Sequence, residues 1–270
     1  MSTLSATVSL SDLTIPGTHQ SCARRGGLFR FLQCQNPGFD ISVQLSAGIR
    51  YLDVRCRVDR GALRLHHEFA YQHGQLGDVL ACCAEFLDTH PGETVLLRIR
   101  QEYSEVAAGE FRDLFLACAD RHGLSGRLWL ERGVPSLGRA RGRVVVLSGP
   151  YDVGGIVWKD PGVMDVQDHW SPRSRAQKLQ RVLALLERTP GPDRRLVVNH
   201  TSGYRVPWLS PRAMAAYVNP RVTEAVRGLR QSTEGPLGLG VIAMDFADQA
   251  SELVELLIDG NLPRPVGRAR

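Results

Sequence analysis

Predicted strands and helices alternate along this chain from one end to the other, and no other feature limits its fold as much. Apolar residues at every second position are typical of a strand, and apolar residues three and four apart are typical of a helix. These patterns predict strands at residues 13–15, 48–58, 63–69, 94–103, 143–147, 195–199 and 238–245. They predict helices at residues 41–47, 75–89, 106–122, 174–188, 211–230 and 252–259.

Glycine and proline set several of the predicted boundaries. Pro16 and Gly17 are expected to end the first strand with a turn. The pair Asn219-Pro220 is expected to break the helix at 211–230, because proline has no N–H to continue the helical ladder. Residues 155–168 are rich in Gly, Pro and Asp, so we predict a loop there with a strand at its start.

The alternation indicates a single α/β domain built on a parallel sheet, since no shift in composition marks a domain boundary. Seven or eight strands in 270 residues favour a closed (β/α)8 barrel over an open doubly wound sheet. The chain also lacks the glycine-rich dinucleotide fingerprint of such open sheets. We expect residues 1–262 to form the barrel and residues 263–270 to be a disordered tail.

The charge balance favours an anionic partner only weakly. The chain carries 33 Lys and Arg against 28 Asp and Glu, a net charge of +5, and nearly all of the cations are arginine. An anionic surface or substrate would suit this excess, but high-GC codon usage produces the same bias. There is no dense basic run and no nucleic-acid motif, so we do not expect nucleic-acid binding.

Neither a membrane span nor a signal peptide is visible in the sequence. No apolar stretch is long enough to cross a bilayer, and residues 1–12 lack a charged n-region and an apolar h-region. The protein is therefore cytosolic, or its leader is absent from this chain. Cys22 and Cys34 flank a Gly/Arg loop and could pair, whereas the other four cysteines are expected to be buried free thiols. No pair has CxxC spacing, so a zinc site is not predicted.

Four polar side chains form the candidate catalytic set. His19 follows the first strand, Asp53 and Arg55 share one face of the strand at 48–58, and the fourth is one of the pair His66 and His67, which lie on opposite faces of the strand that returns. A lone loop histidine is more often ordinary surface, and polar residues on one face of a strand often only meet solvent. Together, two imidazoles, a carboxylate and a guanidinium can move a proton on and off a phosphate ester while its charge is neutralised.

The predicted barrel adds a fifth member to this set. Closure of a barrel brings the first and last strands together, so Asp245 at the end of the last strand should lie beside His19. A carboxylate bonded to one imidazole nitrogen fixes the tautomer and leaves the other nitrogen free as a base. This inference rests on the topology, and it fails if the fold is open.

Six short motifs, in order, carry a resemblance to a known family. They are IPGTH (15–19), GIRYLDVRCR (48–57), LHHEF (65–69), HPGETVLLRIRQEY (90–103), VQDHW (166–170) and VIAMDF (241–246). Each is short, but the ordered set closely resembles the X-domain of phosphatidylinositol-specific phospholipases C, in the small bacterial and fungal form. The resemblance extends over roughly residues 10 to 248.

The resemblance implies a distorted TIM barrel and a ribonuclease-like mechanism. The family's general base matches His19, its general acid matches His67, and the carboxylate that supports the base matches Asp245. The reaction implied is attack of the inositol 2-hydroxyl on phosphorus, which releases diacylglycerol and inositol 1,2-cyclic phosphate. Arg55, in a D-x-R pattern with Asp53, matches the phosphate-binding cation of the metal-free enzymes. Calcium-dependent relatives have a carboxylate at that position, so no metal or other cofactor is expected.

Substrate-binding residues are also implied by the resemblance. Arg100 matches a cationic position, Asp168 a ring-binding aspartate, and Trp170 a tyrosine that stacks on the inositol. Lys159 is a further candidate. The family commonly has Asp directly after the first histidine, where this chain has Gln20, which can form hydrogen bonds but brings no charge. A further arginine of the inositol pocket has no clear counterpart, which weakens the assignment of inositol specificity.

The resemblance also implies peripheral contact of a monomer with phosphatidylinositol membranes, and secretion. Candidate contacts are residues 28–32 and 204–209, in which apolar side chains are interleaved with arginine. These side chains could equally pack on the barrel. Two alternatives to the enzyme are a catalytically weak barrel that binds inositol lipids or glycans, and a barrel phosphodiesterase for another head group.

Overall fold

The computed structural model describes residues 1–26, 32–104, 106–149, 153–188, 195–205 and 208–264. Its strands are β1 (Thr14–Thr18), β2 (Tyr51–Asp59), β3 (Ala62–His67), β4 (Ala70–Gln75), β5 (Val95–Gln101), β6 (Leu128–Trp129), β7 (Val144–Ser148), β8 (Ile156–Val157), β9 (Met164–Gln167), β10 (Leu196–His200) and β11 (Gly240–Met244). Its α-helices are α1 (Ile41–Ser46), α2 (Leu76–Thr89), α3 (Ala108–Arg121), α4 (Leu137–Ala140), α5 (Arg175–Leu186), α6 (Pro211–Ser232) and α7 (Ser251–Asp259).

Eight of the strands form one curled parallel sheet, in the order β6-β7-β5-β2-β1-β11-β10-β9. The first strand pairs with the last, with Thr14 opposite Gly240 and Thr18 opposite Met244. The hairpin of β3 and β4 adds to β2, and β8 adds to β7. The predicted α/β barrel architecture is therefore confirmed, including the adjacency of its first and last strands.

The barrel is not closed, which corrects one part of the prediction. Among the described residues, no hydrogen-bonded strand pair joins β9 to the other end of the sheet at β6 and β8. The strands flanking this gap are two to four residues long. Gly154 and Gly155 precede β8 with positive φ angles of 92° and 88°. Strands this short offer too few backbone groups to complete a ladder across the opening.

The first strand continues through Pro16 and Gly17, so the turn predicted there is wrong. Gly17 pairs with Tyr51 on one side and with Ala243 on the other. A Cβ atom on Gly17 would lie 2.8 Å from Cδ1 of Tyr51, which leaves room only for hydrogen. This glycine is required by the close approach of two strands, and Pro16 beside it still accepts from the N–H of Arg50 through its carbonyl at 2.9 Å.

Helix α6 also continues through its proline, so the predicted break at Asn219-Pro220 is wrong. Met214, Val218, Val222 and Val226 are fully buried and form one apolar face on both sides of Pro220. A proline inside a helix costs about 3 kcal/mol. Burial of each such side chain contributes roughly 1.5–3 kcal/mol, so the packed face outweighs the lost hydrogen bond.

Three strands, β4, β6 and β9, were not predicted from the sequence. β4 follows β3 after a tight turn in which Glu68 has a φ angle of 49°. β9 lies in the Gly-, Pro- and Asp-rich segment predicted as loop, whereas the short strand expected at the start of that segment is confirmed as β8. β9 has only four residues, Met164–Gln167, which are too few to give a clear periodic signal. None of the described helices is both long and apolar enough to cross a bilayer.

Candidate active site

The inward-facing side chains change from apolar to polar along the barrel. On β2, Tyr51 lies in the apolar cluster inside the sheet, and Asp53 and Arg55 follow on the same face. On β10, Val198 belongs to that cluster, and His200 is the next inward residue. The polar ends are the carboxyl ends of parallel strands, where barrels place their sites.

A cavity of about 730 Å³ opens at this end of the barrel. It is lined by seven of the ten predicted site residues, all except Asp53, Lys159 and Asp245, and by several that were not predicted. The lining residues are His19, Gln20, Arg55, His67, Glu68, Arg100, Gln101, Glu102, Tyr103, Ser104, Asp168, Trp170 and Tyr204. The site therefore draws on segments from across the chain, as its position at the barrel rim requires.

His19 and Asp245 meet across the junction of β1 and β11. Nδ1 of His19 lies 2.8 Å from Oδ1 of Asp245, which is 1% exposed. A carboxylate at this distance holds the proton on Nδ1, and Nε2 is then left with its lone pair. Nη2 of Arg55 lies 3.3 Å from Nε2 and can donate to it, which again fits the neutral ring. The geometry is that of an oriented base.

His67 is held with its other nitrogen toward the cavity. Its Nδ1 lies 2.6 Å from the carbonyl oxygen of Leu32, so Nδ1 must carry a proton and donate it. Burial, and then the charge of Arg55, lower the pKa of His67 below its ordinary value of 6.5. Nε2 is therefore the nitrogen that can exchange a proton with a bound ligand.

Arg55 lies between these two histidines and is held by carboxylates. Its Nη1 donates to Oε1 of Glu102 at 2.6 Å, and its Nη2 approaches Oδ2 of Asp53 at 3.4 Å. The two carboxylates raise the pKa of Arg55 further, although burial opposes this shift. The guanidinium is thus held by two carboxylates, and Glu102 makes the shorter contact.

Asp53 is clamped by two arginines rather than one. Its Oδ2 is also 3.4 Å from Nη1 of Arg98, whose guanidinium stacks 3.8 Å from the ring centre of Trp158. Burial alone would raise the pKa of Asp53, but Arg98 and Arg55 hold it well below its usual range. Asp53 is therefore an anion fixed beneath the cavity floor, and it positions the guanidinium of Arg55.

Gln20 occupies the space between the cation and the second histidine. Its amide is assigned with the oxygen toward Arg55, since the opposite orientation would set N–H groups against N–H groups. In that orientation the oxygen accepts from Nε of Arg55 at 3.0 Å and from Nε2 of His67 at 3.2 Å. Gln20 is 2% exposed and has a φ angle of 47°. The side chain therefore touches two of the predicted catalytic groups.

The other predicted substrate-binding residues lie in or next to the cavity. Asp168 and Trp170 line it, whereas Lys159 lies behind Asp168, with Nζ 3.3 Å from Oδ2. Burial alone would raise the pKa of Asp168, but His200, Arg98 and Lys159 lower it to about 2. Trp170 is 57% exposed, so one face is available to a ligand. Arg100 lines the rim and is exposed.

Several functional neighbours were not found from the sequence. Glu102 has no local signal, because its contact with Arg55 joins residues 47 apart. Tyr204 donates to Oε1 of Glu68 at 2.5 Å across the cavity mouth. His200 is fully buried edge-on to His19, and burial lowers its pKa to about 3. It is therefore a neutral ring in the wall behind the base.

All six cysteines are free, and the pairing considered for Cys22 and Cys34 is not formed. The four thiols expected to be free include Cys82, which is only half-buried. Sγ of Cys34 lies 4.0 Å from Nδ1 of His67. Within the described ranges, one group of side chains could hold a metal, and it consists of His19, Cys34 and Asp245. Of the predicted membrane-contact residues, 28–31 lie outside the described part of the chain, as do residues 206–207.

Sequence comparisons confirm the resemblance predicted from the motifs. Residues 7–125 match the family model PI-PLC X 1. The chain is 27% identical over 263 residues to the 1-phosphatidylinositol phosphodiesterase of Listeria monocytogenes, covering 92% of this chain and 81% of that protein. It is 22% identical over 292 residues to the enzyme of the same name from Staphylococcus aureus strain Newman, covering 93% and 90%.

A comparison with solved structures agrees. The phosphatidylinositol-specific phospholipase C from Listeria monocytogenes superposes with a TM-score of 0.84 at 26% sequence identity. The alignment covers 97% of each chain. The likeness thus includes the carboxyl-terminal half, which the family model does not reach and which contributes Asp168, Trp170 and Asp245.

Proposed function

We propose, from the relation of this chain to bacterial phosphatidylinositol-specific phospholipases C, that it cleaves phosphatidylinositol to diacylglycerol and inositol 1,2-cyclic phosphate. The observation that carries the proposal is the arrangement of one guanidinium between two imidazoles whose free nitrogens face a common cavity. In the proposed reaction the inositol 2-hydroxyl forms a bond to phosphorus, and the bond from phosphorus to the diacylglycerol oxygen breaks.

His19 removes the proton of the attacking hydroxyl. Its Nε2 is the free nitrogen, because Nδ1 is hydrogen-bonded to Asp245 at 2.8 Å. As the proton arrives, the ring becomes a cation, and the buried carboxylate of Asp245 stabilises that charge. The barrel supports this role by holding β1 and β11 in register, so the two side chains cannot drift apart.

His67 gives a proton to the departing diacylglycerol oxygen. The carbonyl of Leu32 keeps Nδ1–H in place, so Nε2 is the nitrogen that delivers the proton. Delivery requires the charged ring, yet burial and Arg55 lower the pKa of His67. The active form is therefore the protonated fraction, which the oxygen of Gln20 favours by accepting from Nε2.

Arg55 neutralises the phosphate while phosphorus becomes five-coordinate. Its guanidinium is oriented by Glu102 and Asp53 and reaches between the two histidines. A fixed cation at that point supplies the charge that a divalent metal supplies elsewhere. In the same cavity, Asp168 and Trp170 suit a polyhydroxylated ring, with a carboxylate for its hydroxyls and an aromatic face for its C–H groups.

The proposal is tested with phosphatidylinositol vesicles incubated with the protein in excess EDTA. We expect inositol 1,2-cyclic phosphate to appear by phosphorus NMR and the rate to be unchanged by added Ca²⁺. Vesicle binding without turnover would instead favour the binding module, and turnover of glycerophosphodiesters alone would favour another head group. Activity that EDTA removes and Ca²⁺ restores would contradict the metal-free role of Arg55.

The pH dependence should depend on Gln20. Since His67 acts in its charged form and has a lowered pKa, the rate should fall as pH rises through that lowered value, below pH 6.5. Gln20→Glu keeps the side-chain length and places a carboxylate at Nε2 of His67, which favours the charged ring. The alkaline limb of the pH profile of kcat should move to higher pH. For each pH unit of this movement, kcat at pH 7 should rise about tenfold.

The control for this prediction is Gln20→Met, which keeps the length but removes both charge and hydrogen bond. Its alkaline limb should not move to higher pH. An unmoved limb in Gln20→Glu, with the fold intact by circular dichroism, would show that His67 is not the titrating acid.

Membrane contact is expected through the loop between β10 and α6. Trp208 in this loop is 80% exposed, and the same loop carries Tyr204 at the cavity mouth. An exposed indole beside the site suits insertion at a lipid interface. Trp208→Ser should weaken binding to phosphatidylinositol vesicles severalfold in a sedimentation assay, because the apolar area inserted in the bilayer is lost.

The matched control is Leu262→Ser, an exposed apolar residue beside Thr14 at the other end of the barrel. This substitution should leave vesicle binding unchanged. Hydrolysis of soluble inositol cyclic phosphate should be the same in both variants and the wild type. Equal vesicle affinity of Trp208→Ser and the wild type would remove this loop from the membrane contact.

A further inference from the structure

Cys34 lies close to His19 and Asp245, the proposed base and its supporting carboxylate, and has no part in the proposed reaction. Its backbone is held on both sides, since its N–H donates to the carbonyl of Ala23 at 2.9 Å and its carbonyl accepts from the N–H of Phe246 at 2.7 Å. Phe246 directly follows Asp245, so the thiol is fixed to the segment that carries the supporting carboxylate. Cys34 is 1% exposed and is a free thiol.

The three side chains offer the ligand types that borderline and soft cations prefer. One ligand atom each from His19, Cys34 and Asp245 lie within 4.8 Å of one another. Zinc binds thiolate sulfur at about 2.3 Å and imidazole nitrogen or carboxylate oxygen at about 2.0–2.2 Å, which gives ligand separations of about 3.5 Å in a tetrahedron. Small side-chain rotations would be needed to bring ligand atoms that lie up to 4.8 Å apart to this separation.

Only one of the two carboxylate oxygens of Asp245 is used in the contact with His19. Oδ1 of Asp245 faces Nδ1 of His19, while Oδ2 is buried with no hydrogen-bond partner among the described residues. Unsatisfied buried oxygens are uncommon, so this atom is a vacant ligand position. A divalent cation between a thiolate and a carboxylate would also leave the group with no net charge, which suits a buried site.

We propose that His19, Cys34 and Asp245 form a binding site for thiophilic divalent cations, Zn²⁺ and Cd²⁺, and that occupation of this site inhibits the enzyme. On binding, the Cys34 thiol loses its proton to solvent and its sulfur bonds the metal. Nδ1 of His19 bonds the metal through its lone pair, and its proton moves to Nε2. His19 lines the cavity with a side chain that is 12% exposed, whereas Cys34 and Asp245 are each 1% exposed, so the cation has to enter past the imidazole ring.

Inhibition follows from the tautomer of His19, and this part of the inference rests on the proposed function. The base requires a lone pair on Nε2, which exists while Asp245 holds the proton on Nδ1. A metal on Nδ1 forces the proton onto Nε2, so the ring can no longer accept a proton from the inositol hydroxyl. The same cation also binds the carboxylate of Asp245, which can then no longer stabilise a charged imidazole of His19.

Binding is tested without substrate by titrating Cd²⁺ into the full chain and recording thiolate-to-metal absorption in the ultraviolet. We expect one equivalent to saturate a band that Cys34→Ser lacks. Cys22→Ser, which removes another buried thiol of the same segment, should keep the band at full amplitude. A band of equal amplitude in Cys34→Ser, or no band in the wild type, overturns the site.

A second measurement serves if Cys34→Ser does not fold. X-ray absorption of the Zn²⁺-loaded wild-type protein should show one sulfur and at least one imidazole nitrogen bonded to zinc. Ligation by nitrogen and oxygen alone, or by more than one sulfur, overturns the assignment. This measurement needs no variant.

Inhibition is measured as the ratio of rates with and without Cd²⁺ within each variant, so differences in basal rate cancel. The wild type and Cys22→Ser should lose their activity at one equivalent, and Cys34→Ser should not. Equal inhibition of Cys34→Ser would place the inhibitory metal elsewhere. If no variant turns over phosphatidylinositol while the absorption band behaves as expected, the proposed function fails and the metal site stands.

Discussion

His19→Ala should reduce kcat on phosphatidylinositol by about 10²–10⁴-fold, the range that removal of a positioned base produces. The substitution leaves the inositol 2-hydroxyl without an acceptor, while Arg55 and the ring-binding wall remain. KM should therefore change little compared with kcat. The measurement is steady-state release of inositol cyclic phosphate in detergent micelles, with folding checked by thermal denaturation.

His67→Ala should lose about as much with phosphatidylinositol but should respond differently to the leaving group. A phenolate needs no proton to depart, so an aryl phosphodiester of inositol should restore most of the activity of His67→Ala. The same aryl substrate should not restore the activity of His19→Ala, since attack by the 2-hydroxyl still requires a base. The contrast separates the two roles in a way that rates on one substrate cannot.

The matched control for both variants is His66→Ala. His66 adjoins His67 in sequence, lies on the other face of β3 and contacts Tyr71. His66 is buried but does not line the cavity, so its loss should leave kcat of the folded variant within about twofold of the wild type. Near-normal turnover of His67→Ala on phosphatidylinositol would contradict the assignment of the acid.

Arg55→Lys should reduce kcat by about 10²–10³-fold although the charge is kept. Nη1 of Arg55 contacts Glu102, and Nη2 contacts both Asp53 and His19, so the planar guanidinium fixes the direction in which the cation points. A lysine ammonium has a single nitrogen and cannot hold the same set of contacts. Arg57→Lys, one period further along the same face of β2, is exposed and should be nearly silent.

A second substitution examines the link between Arg55 and metal dependence. Arg55→Asp removes the phosphate cation and gathers carboxylates from three residues, Asp53, Glu102 and the new side chain. We expect no activity in EDTA. Partial recovery with Ca²⁺ would show that the position exchanges one kind of cation for another. Wild-type levels of activity in Arg55→Asp without metal would exclude Arg55 from phosphate stabilisation.

The sequence predicted contacts that follow from topology. The pairing of the first and last strands brings His19 to Asp245, and the period of two on β2 brings Asp53 and Arg55 to one face. Both rest on backbone regularities that a sequence pattern carries directly. The resemblance to a family then supplied His67, whose role has no local signature beyond the adjacent histidine.

Contacts between side chains on distant elements could not be predicted from these patterns. The contact of Glu102 with Arg55 depends on the register of β2 with β5, where Arg55 pairs with Arg100. Gly17 reads as a turn residue until the neighbouring Tyr51 shows why a side chain does not fit. Pro220 reads as a helix breaker because the pattern does not weigh the buried faces on either side of it.

The pairing of β1 with β11 also has a consequence for how activity is acquired during folding. His19 and Asp245 are separated by 226 positions, so their contact closes nearly the whole chain into a loop. Contacts of such sequence separation form late, because the entropy of loop closure must be overcome before they are rewarded. During synthesis His19 has no carboxylate partner until the last strand, which carries Asp245 at its end, has emerged and packed against the first strand. In a refolding experiment, turnover should therefore lag behind the recovery of helical signal.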